Sequence, residues 1–204
     1  QTKLNIPEFI KFAKLLKGDE KGEAQLFCDR LFQAFGHEGI IEAKGTLEAR
    51  IKFGSGRTKF ADCLWSPPGY DGVLIEMKKR SVRNLEAHFP QVRDYWIEMN
   101  PEVVIGPGAQ KPTYIILCNF DEFLIYRHLT FVDAVPIDQL PERFSALNFL
   151  LPEQKEPFFN HNVEAISNEV AGTIGELYKY LVLDLGENRD VAQRYILQSV
   201  LALF

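Results

Sequence analysis

The stretch from Lys59 to Lys78, Lys-Phe-Ala-Asp-Cys-Leu-Trp-Ser-Pro-Pro-Gly-Tyr-Asp-Gly-Val-Leu-Ile-Glu-Met-Lys, constrains this chain more than any other. An apolar strand carries Asp62, a Pro67-Pro68-Gly69 turn reverses the chain, and a second apolar strand carries Glu76 and Lys78. Residues at i and i+2 on a strand share one face. One face therefore presents a carboxylate and an ammonium beside Asp62, while Val73, Ile75 and Met77 point the other way into a core. Polar groups interrupt a strand that is otherwise built for burial.

Those residue types suit one kind of chemistry. Hydrolysis of a phosphodiester needs a hard divalent cation to bind a phosphate oxygen and lower the pKa of the attacking water, and Mg²⁺ takes oxygen ligands such as Asp and Glu. Asp62 and Glu76 are the candidate metal ligands. Lys78 is the candidate for positioning the water or stabilising charge that builds on phosphorus, because a compact ammonium acts strongly where the dielectric is low. The competing reading is a cross-strand surface pair, the commonest fate of Glu-x-Lys; the flanking Val-Leu-Ile and the nearby Asp62 argue against it. Asp71 competes with Asp62 for the metal, but it sits in a Tyr-Asp-Gly tip of ordinary turn chemistry. His37, His88, His128 and His161 have neither zinc-ligand nor triad spacing. Gly106-Pro-Gly108 lacks the Lys-Ser/Thr and helix start of a phosphate-binding loop.

Two helical patterns extend the site. Asn84 to Met99 reads as a helix on which Gln91 and Tyr95 lie four apart and so on one face. Upstream, Glu23 leads the apolar helical face Ala24, Phe27, Cys28, Leu31, Phe32, Phe35. Glu23 is a candidate site residue; alternatively it complements the helix dipole at the N-terminus. Gln91 and Tyr95 are alternatively packing residues of an amphipathic helix.

On these residues the chain resembles the PD-(D/E)XK nuclease superfamily, with Ala61 in place of the proline that often precedes the aspartate, and with thirteen residues between Asp62 and Glu76. The Gln91-x-x-x-Tyr95 pattern is similar to a motif of RecB-like nucleases. Five segments together look like the amino-terminal region of single-chain restriction-modification enzymes of types IIG and IIL. They are Gly22-Glu-Ala-Gln-Leu-Phe, Phe60-Ala-Asp-Cys-Leu-Trp, Leu74-Ile-Glu-Met-Lys-Lys, Ile116-Leu-Cys-Asn-Phe-Asp-Glu-Phe and the last thirteen residues from Ala192. The resemblance implies an α/β fold of the restriction-endonuclease type, a mixed sheet flanked by helices and followed by a C-terminal helical segment. It implies a Mg²⁺-dependent DNA endonuclease, with Mn²⁺ as a substitute, in which Asp62, Glu76 and Lys78 are assisted by Glu23 and Gln91. It also implies a nuclease domain over residues 1–155 and, over 156–204, the start of a helical connector. In such enzymes the connector leads to an S-adenosylmethionine-dependent methyltransferase and a target-recognition domain, neither of which has motifs in this chain. A RecB-like repair nuclease or resolvase, and a catalytically inactive module that binds DNA or protein, are the alternatives.

Length and charge fit a unit that works with others. The 204 residues suffice for one ordinary domain and part of another. Net charge is −5, which disfavours a self-sufficient DNA binder, since phosphate neutralisation needs a positive surface. A local one surrounds the motif: Lys79, Arg80 and Arg83 follow it, Lys52, Arg57 and Lys59 precede Asp62. Lys59, Lys79, Arg80 and Arg83 are the candidate phosphate contacts on double-stranded DNA, against the plainer reading of a solvated face. Cutting two strands makes a transient dimer on DNA an expectation. With no apolar run of membrane-spanning length and no signal-like start, a cytoplasmic prokaryotic protein is expected. Cys28, Cys63 and Cys118 lie in apolar runs and read as buried free thiols.

Coarse periodicity gives an opening helix from Ile6-Pro7 to Leu16, a polar linker Lys17 to Gly22, and a helix from Glu23 to near Gly36. Leu47 to Phe53 reads as an alternating strand turning at Gly54-Ser-Gly56 toward the Asp62 strand. Tyr114 to Cys118 and Phe123 to Arg127 read as a hairpin turning at Asn119-Phe-Asp121. Pro141 to Leu150, Val163 to Val182 and Arg189 to Phe204 read as helices.

Overall fold

The computed structural model describes residues 4–160 and 172–201. The chain divides into two compact units, 1–159 and 160–204. The first is an α/β unit around a six-stranded sheet in the order β1-β2-β3-β4-β5-β6. The strands are β1 (Thr46–Lys52), β2 (Thr58–Trp65), β3 (Val73–Met77), β4 (Tyr114–Cys118), β5 (Glu122–Arg127) and β6 (Thr130–Pro136). Only β3 and β4 run parallel; the other neighbours are antiparallel. This is the mixed sheet flanked by helices that the sequence led us to expect.

The parallel pair requires a crossover connection. It is made by a 3₁₀ turn (Glu86–His88), α3 (Phe89–Glu98) and α4 (Pro101–Val104). The expected single helix from Asn84 to Met99 is thus divided, with Pro90 taking an opening position of α3, where its missing N–H costs nothing. α3 buries Val92 and Tyr95 on one face of the sheet, with Leu64, Leu74, Ile115 and Leu117.

On the other face lie α1 (Ile6–Leu15) and α2 (Glu20–Ala34), packed on Cys63, Trp65, Val73, Ile75, Met77 and the inner side of β4 and β5. Phe27 of α2 is fully buried and meets Phe9, Phe120 and Phe123 at centroid distances of 5.1, 5.2 and 6.0 Å. α2 starts three residues earlier than Glu23, because the Asp19 side chain accepts a hydrogen bond from the Lys21 N–H and caps the helix at Glu20. The helix stops at Phe35, and Gly36 takes φ 97°, a left-handed conformation that suits glycine at a helix end.

The β4–β5 hairpin turns where expected, with Phe120 at φ 73°. The Asn119 side chain accepts from the Asp121 and Glu122 N–H groups, which holds the reversal. β6 was not anticipated, because Asp133 and Pro136 interrupt its apolar pattern. It is the last strand in the sheet order, and Asp133, although buried, is ion-paired with Arg143 at 2.5 Å. The expected Pro141 helix is one α turn, α5 (Leu140–Arg143), followed by a 3₁₀ stretch (Phe144–Leu150) that buries Leu147, Phe149 and Leu150. All three cysteines are buried and free.

In the second unit, residues 172–179 form α6, a π-helical turn covers Tyr180–Asp184, and α7 spans Arg189–Leu201. The earlier part of the expected Val163 helix lies outside the described residues, as do residues 202–204. No described helix is long and apolar enough to cross a membrane.

Candidate active site

The site lies at the end of the central strand. β3 is buried along its whole length and pairs with β2 on one side and β4 on the other. Its fourth residue, Glu76, is 3% exposed. Glu76 follows Leu74 by two positions and therefore faces α3, whereas Ile75 and Met77 enter the opposite core.

Asp62 reaches the same place by a change of strand geometry. The β2–β3 register pairs Cys63 with Ile75 and Leu64 with Leu74. The next step would set Asp62 opposite Glu76. There the backbone ladder ends, and the Asp62 carboxylate accepts a hydrogen bond from the Met77 N–H at 2.7 Å. Both β1 and β2 switch faces at this level: Ala49, Ile51 and Ala61 pack into the core under α3, while Leu47 and Cys63 pack into the other. The simple alternation from Leu47 to Phe53 therefore breaks at Glu48, which takes φ 49°. A non-glycine residue in that region is uncommon, and such residues gather at functional sites. The Glu48 carboxylate accepts from the Gln25 side chain of α2 at 2.9 Å.

Two groups hold Glu76, and a third backs them. The Lys78 ammonium donates to its Oε1 at 2.8 Å, and the Gln91 side-chain amide donates to the same oxygen at 2.8 Å. Gln91 also bonds the Tyr95 hydroxyl at 2.7 Å. The spacings Glu-x-Lys on a strand and Gln-x-x-x-Tyr on a helix thus converge on one oxygen. The second oxygen, Oε2, is buried without a hydrogen-bond partner among the described residues. An unsatisfied buried carboxylate oxygen is costly in a native protein.

Electrostatics sharpen the point. Burial, and then the neighbouring Asp62 charge, push the Glu76 carboxyl up to about 7, although Lys78 draws it back. Burial pushes Asp62 up to about 6, against the stabilising hydrogen bond from Met77 and the charge of Lys78. Burial draws Lys78 down, but its ion pair with Glu76 outweighs that and its pKa is raised. Two carboxylates raised by burial and by neighbouring acidic groups, Asp62 for Glu76 and Glu20 and Glu48 for Asp62, form an electrostatic demand for a cation.

The structure places Glu23 away from the site. Glu23 accepts the backbone N–H groups of Lys17, Gly18 and Asp19 at 3.1, 2.6 and 2.9 Å, closing the loop before its own helix. It is engaged there and not with Asp62, Glu76 or Lys78. Glu20, one turn earlier, approaches Lys78 Nζ at 3.6 Å and contributes to the field at Asp62 and Glu76. Sequence reading missed Glu20 because it placed that residue in the linker; the Asp19 cap was the available signal.

Arg80 is likewise engaged elsewhere. Its guanidinium donates to the Ala13 carbonyl at 2.8 Å and to the Leu16 carbonyl, satisfying the exposed end of α1, and it pairs with Asp121 at 2.9 Å. With its donors spent on α1 and the β4–β5 turn, it serves the fold rather than a phosphate. Lys79 and Arg83 are exposed and make no ion pair among the described residues. Lys59 is exposed and lies over the rings of Phe53 and Tyr95, at 5.5 and 5.7 Å, which sets it beside the Gln91–Glu76 contact.

A family model described as the MmeI N-terminal domain matches residues 4–184. The chain belongs to this family. That agrees with the resemblance to the N-terminal nuclease region of single-chain restriction-modification enzymes, and the match extends over both units. No curated protein matches the chain. Among solved structures, a cryoEM structure of a DrdV–DNA complex is similar over 86% of this chain and 16% of that chain, with 13% identity and a TM-score of 0.46. The present chain thus spans a small fraction of the length of that protein.

Among the described residues, no group of three or more His, Cys, Asp or Glu side chains is gathered closely enough to cage a metal unaided. The carboxylates of Asp62 and Glu76 are the side chains that could serve as donors, with Glu76 Oε2 unbonded among the described residues. That suits a cation such as Mg²⁺, which keeps several waters and takes one or two protein carboxylates plus substrate phosphate oxygens.

Two measurements follow. Arg80→Ala should lower unfolding free energy by about 1–3 kcal/mol, the range for lost charge-assisted hydrogen bonds, while leaving the salt dependence of DNA binding unchanged; a denaturant titration and a binding titration check it. The raised carboxyls also fix a pH dependence. The native state holds protons on Glu76 and Asp62 up to about 7 and about 6, whereas the unfolded chain releases them near the ordinary carboxylate values. The native state therefore binds more protons in this window, and stability falls as pH rises through it. Without divalent metal, Glu76→Gln should gain in melting temperature relative to wild type between about pH 5.5 and pH 8. Parallel curves for the two proteins would contradict the assignment of that burial.

Proposed function

We propose that this chain is the Mg²⁺-dependent DNA endonuclease domain of a type IIG single-chain restriction-modification enzyme. The observation that carries the reading is the orphaned Oε2 of Glu76, buried beside Asp62 and Lys78 on the central strand. A carboxylate placed at that cost has a use, and a hard cation is the partner that matches its charge and that of Asp62.

Asp62 and Glu76 would hold the metal, which when bound supplies Lewis acidity toward a phosphate oxygen and a lowered pKa for a bound water. The remaining steps belong to the chain. Gln91, backed by Tyr95, fixes the orientation of Glu76 through Oε1 and leaves Oε2 free. The Met77 N–H fixes Asp62 in the same way. Lys78, kept protonated by Glu76 and steadied by Glu20 at 3.6 Å, presents positive charge where the phosphorane charge develops and orients the attacking water through its remaining donors. Lys59, Lys79 and Arg83 offer exposed charge for the flanking phosphates.

The intact set of Asp62, Glu76, Lys78 and Gln91 speaks against a module retained for binding alone. Membership of the MmeI N-terminal family favours the restriction enzyme over a repair nuclease or resolvase. On this reading the unit 160–204 begins the connector to a methyltransferase and a target-recognition domain, and S-adenosylmethionine serves that methyltransferase only.

Asp62→Asn, Glu76→Gln and Lys78→Ala, each introduced into the full-length enzyme, should lower the DNA cleavage rate by at least about a hundredfold, in the range of lost metal or charge stabilisation, with methylation of the same DNA preserved. Gln91→Ala should give a smaller loss, since it acts through Glu76. Cleavage assays with Mg²⁺, with Mn²⁺ and with chelator check the set. Wild-type cutting by Glu76→Gln would contradict it.

A further inference from the structure

The β1–β2 hairpin beyond Asp62 carries a charge pattern that, Lys59 apart, the site chemistry does not use. From Arg50 to Lys59 the sequence is Arg-Ile-Lys-Phe-Gly-Ser-Gly-Arg-Thr-Lys, with four cations and no acidic residue, in a chain of net charge −5. Arg50, Lys52, Arg57 and Lys59 are all exposed. None of them makes an ion pair among the described residues. The Arg57 guanidinium donates to the Ser55 hydroxyl at 3.3 Å.

The hairpin is also fixed in place. Ala49, Ile51 and Ala61 anchor it in the core beneath α3, and Glu98 at the end of α3 accepts the Gly54 N–H of the turn at 2.9 Å. Phe60 pairs in register with Arg50 and is 55% exposed. Unneutralised cations interleaved with an exposed ring suit a nucleic-acid surface, with charges for phosphates and the ring for stacking.

We infer that the β1–β2 hairpin is a DNA-backbone arm that follows the strand being cut, with Arg50, Lys52 and Arg57 contacting phosphates away from the scissile one. This rests on the nuclease reading, because the same β2 strand leads directly to Asp62. Asp62 lies five positions after Arg57, about 16 Å at the strand rise of roughly 3.3 Å per residue. That spans about five base-pair steps at roughly 3.4 Å each. Lys59, over the Tyr95 ring, stands between the arm and the Gln91–Glu76 contact. The occupant is the sugar-phosphate backbone, so the arm contributes affinity and register without base preference.

The test is the salt dependence of binding by the whole chain to a random-sequence duplex, with Ca²⁺ in place of Mg²⁺, followed by fluorescence anisotropy. The plot of log affinity against log salt loses about 0.9 in slope for each phosphate contact removed. The double variant Lys52→Ala/Arg57→Ala should lose about 1.8 and bind roughly tenfold more weakly at low salt. Lys11→Ala, which removes an exposed cation from α1, is the control and should leave the slope as it was. Unaltered melting temperatures would establish that the variants fold. A double variant indistinguishable from Lys11→Ala, or a wild type that does not bind, would overturn the arm. Binding of the expected slope by a wild-type full-length enzyme that fails to cut with Mg²⁺ would instead overturn the nuclease reading and leave the arm standing.

Discussion

Glu76 is a carboxylate on the central strand of the sheet, with hydrogen-bonded neighbours on both sides and only 3% of its surface exposed. Burying such a charge costs several kcal/mol unless it is paired and hydrogen-bonded. Lys78 and Gln91 satisfy one oxygen; the other is left without a partner among the described residues. The surrounding structure is arranged so that this residue can persist. The parallel β3–β4 pair brings α3 across the sheet and with it Gln91. The broken ladder at Asp62 brings a second carboxylate alongside, and α2 brings Glu20 to the far side of Lys78.

The same arrangement divides the labour among the basic residues. Arg80 and Lys78 are two positions apart, yet their tasks differ because their donors are spent differently. The guanidinium of Arg80 is consumed by the carbonyl end of α1 and by Asp121, whereas the ammonium of Lys78 pairs with the carboxylates of Glu76 and Glu20. Cations that contact a polyanion must be free of competing partners. Lys79, Arg83 and the four cations of the β1–β2 hairpin make no ion pair among the described residues.

How much of this is legible without coordinates depends on whether the information is local. Asp62, Glu76, Lys78, Gln91 and Tyr95 are marked by polar residues placed at strand or helix spacing within apolar runs, and the structure gathers them. Five of the six strands are likewise foreshadowed by apolar runs bounded by turn residues. β6 is not, because its buried Asp133 is compensated by Arg143 from a later turn, a contact that no local pattern shows. Glu23 and Glu20 exchange roles because a three-residue difference in helix start decides which one meets the loop backbone and which one approaches Lys78. The break in alternation at Glu48 is equally hidden, since a left-handed glutamate leaves no mark in composition.

The central claim is that Glu76 and Asp62 together hold a divalent cation. Calorimetric titration of Mn²⁺ into the folded chain, without DNA, tests this most directly, because it reads the ligands apart from cleavage and from any missing domain. The account predicts saturable binding by the wild type and a loss of at least about tenfold in affinity for both Glu76→Gln and Asp62→Asn, the scale expected when one of two protein ligands is removed. Equal affinity in wild type and Glu76→Gln would contradict it.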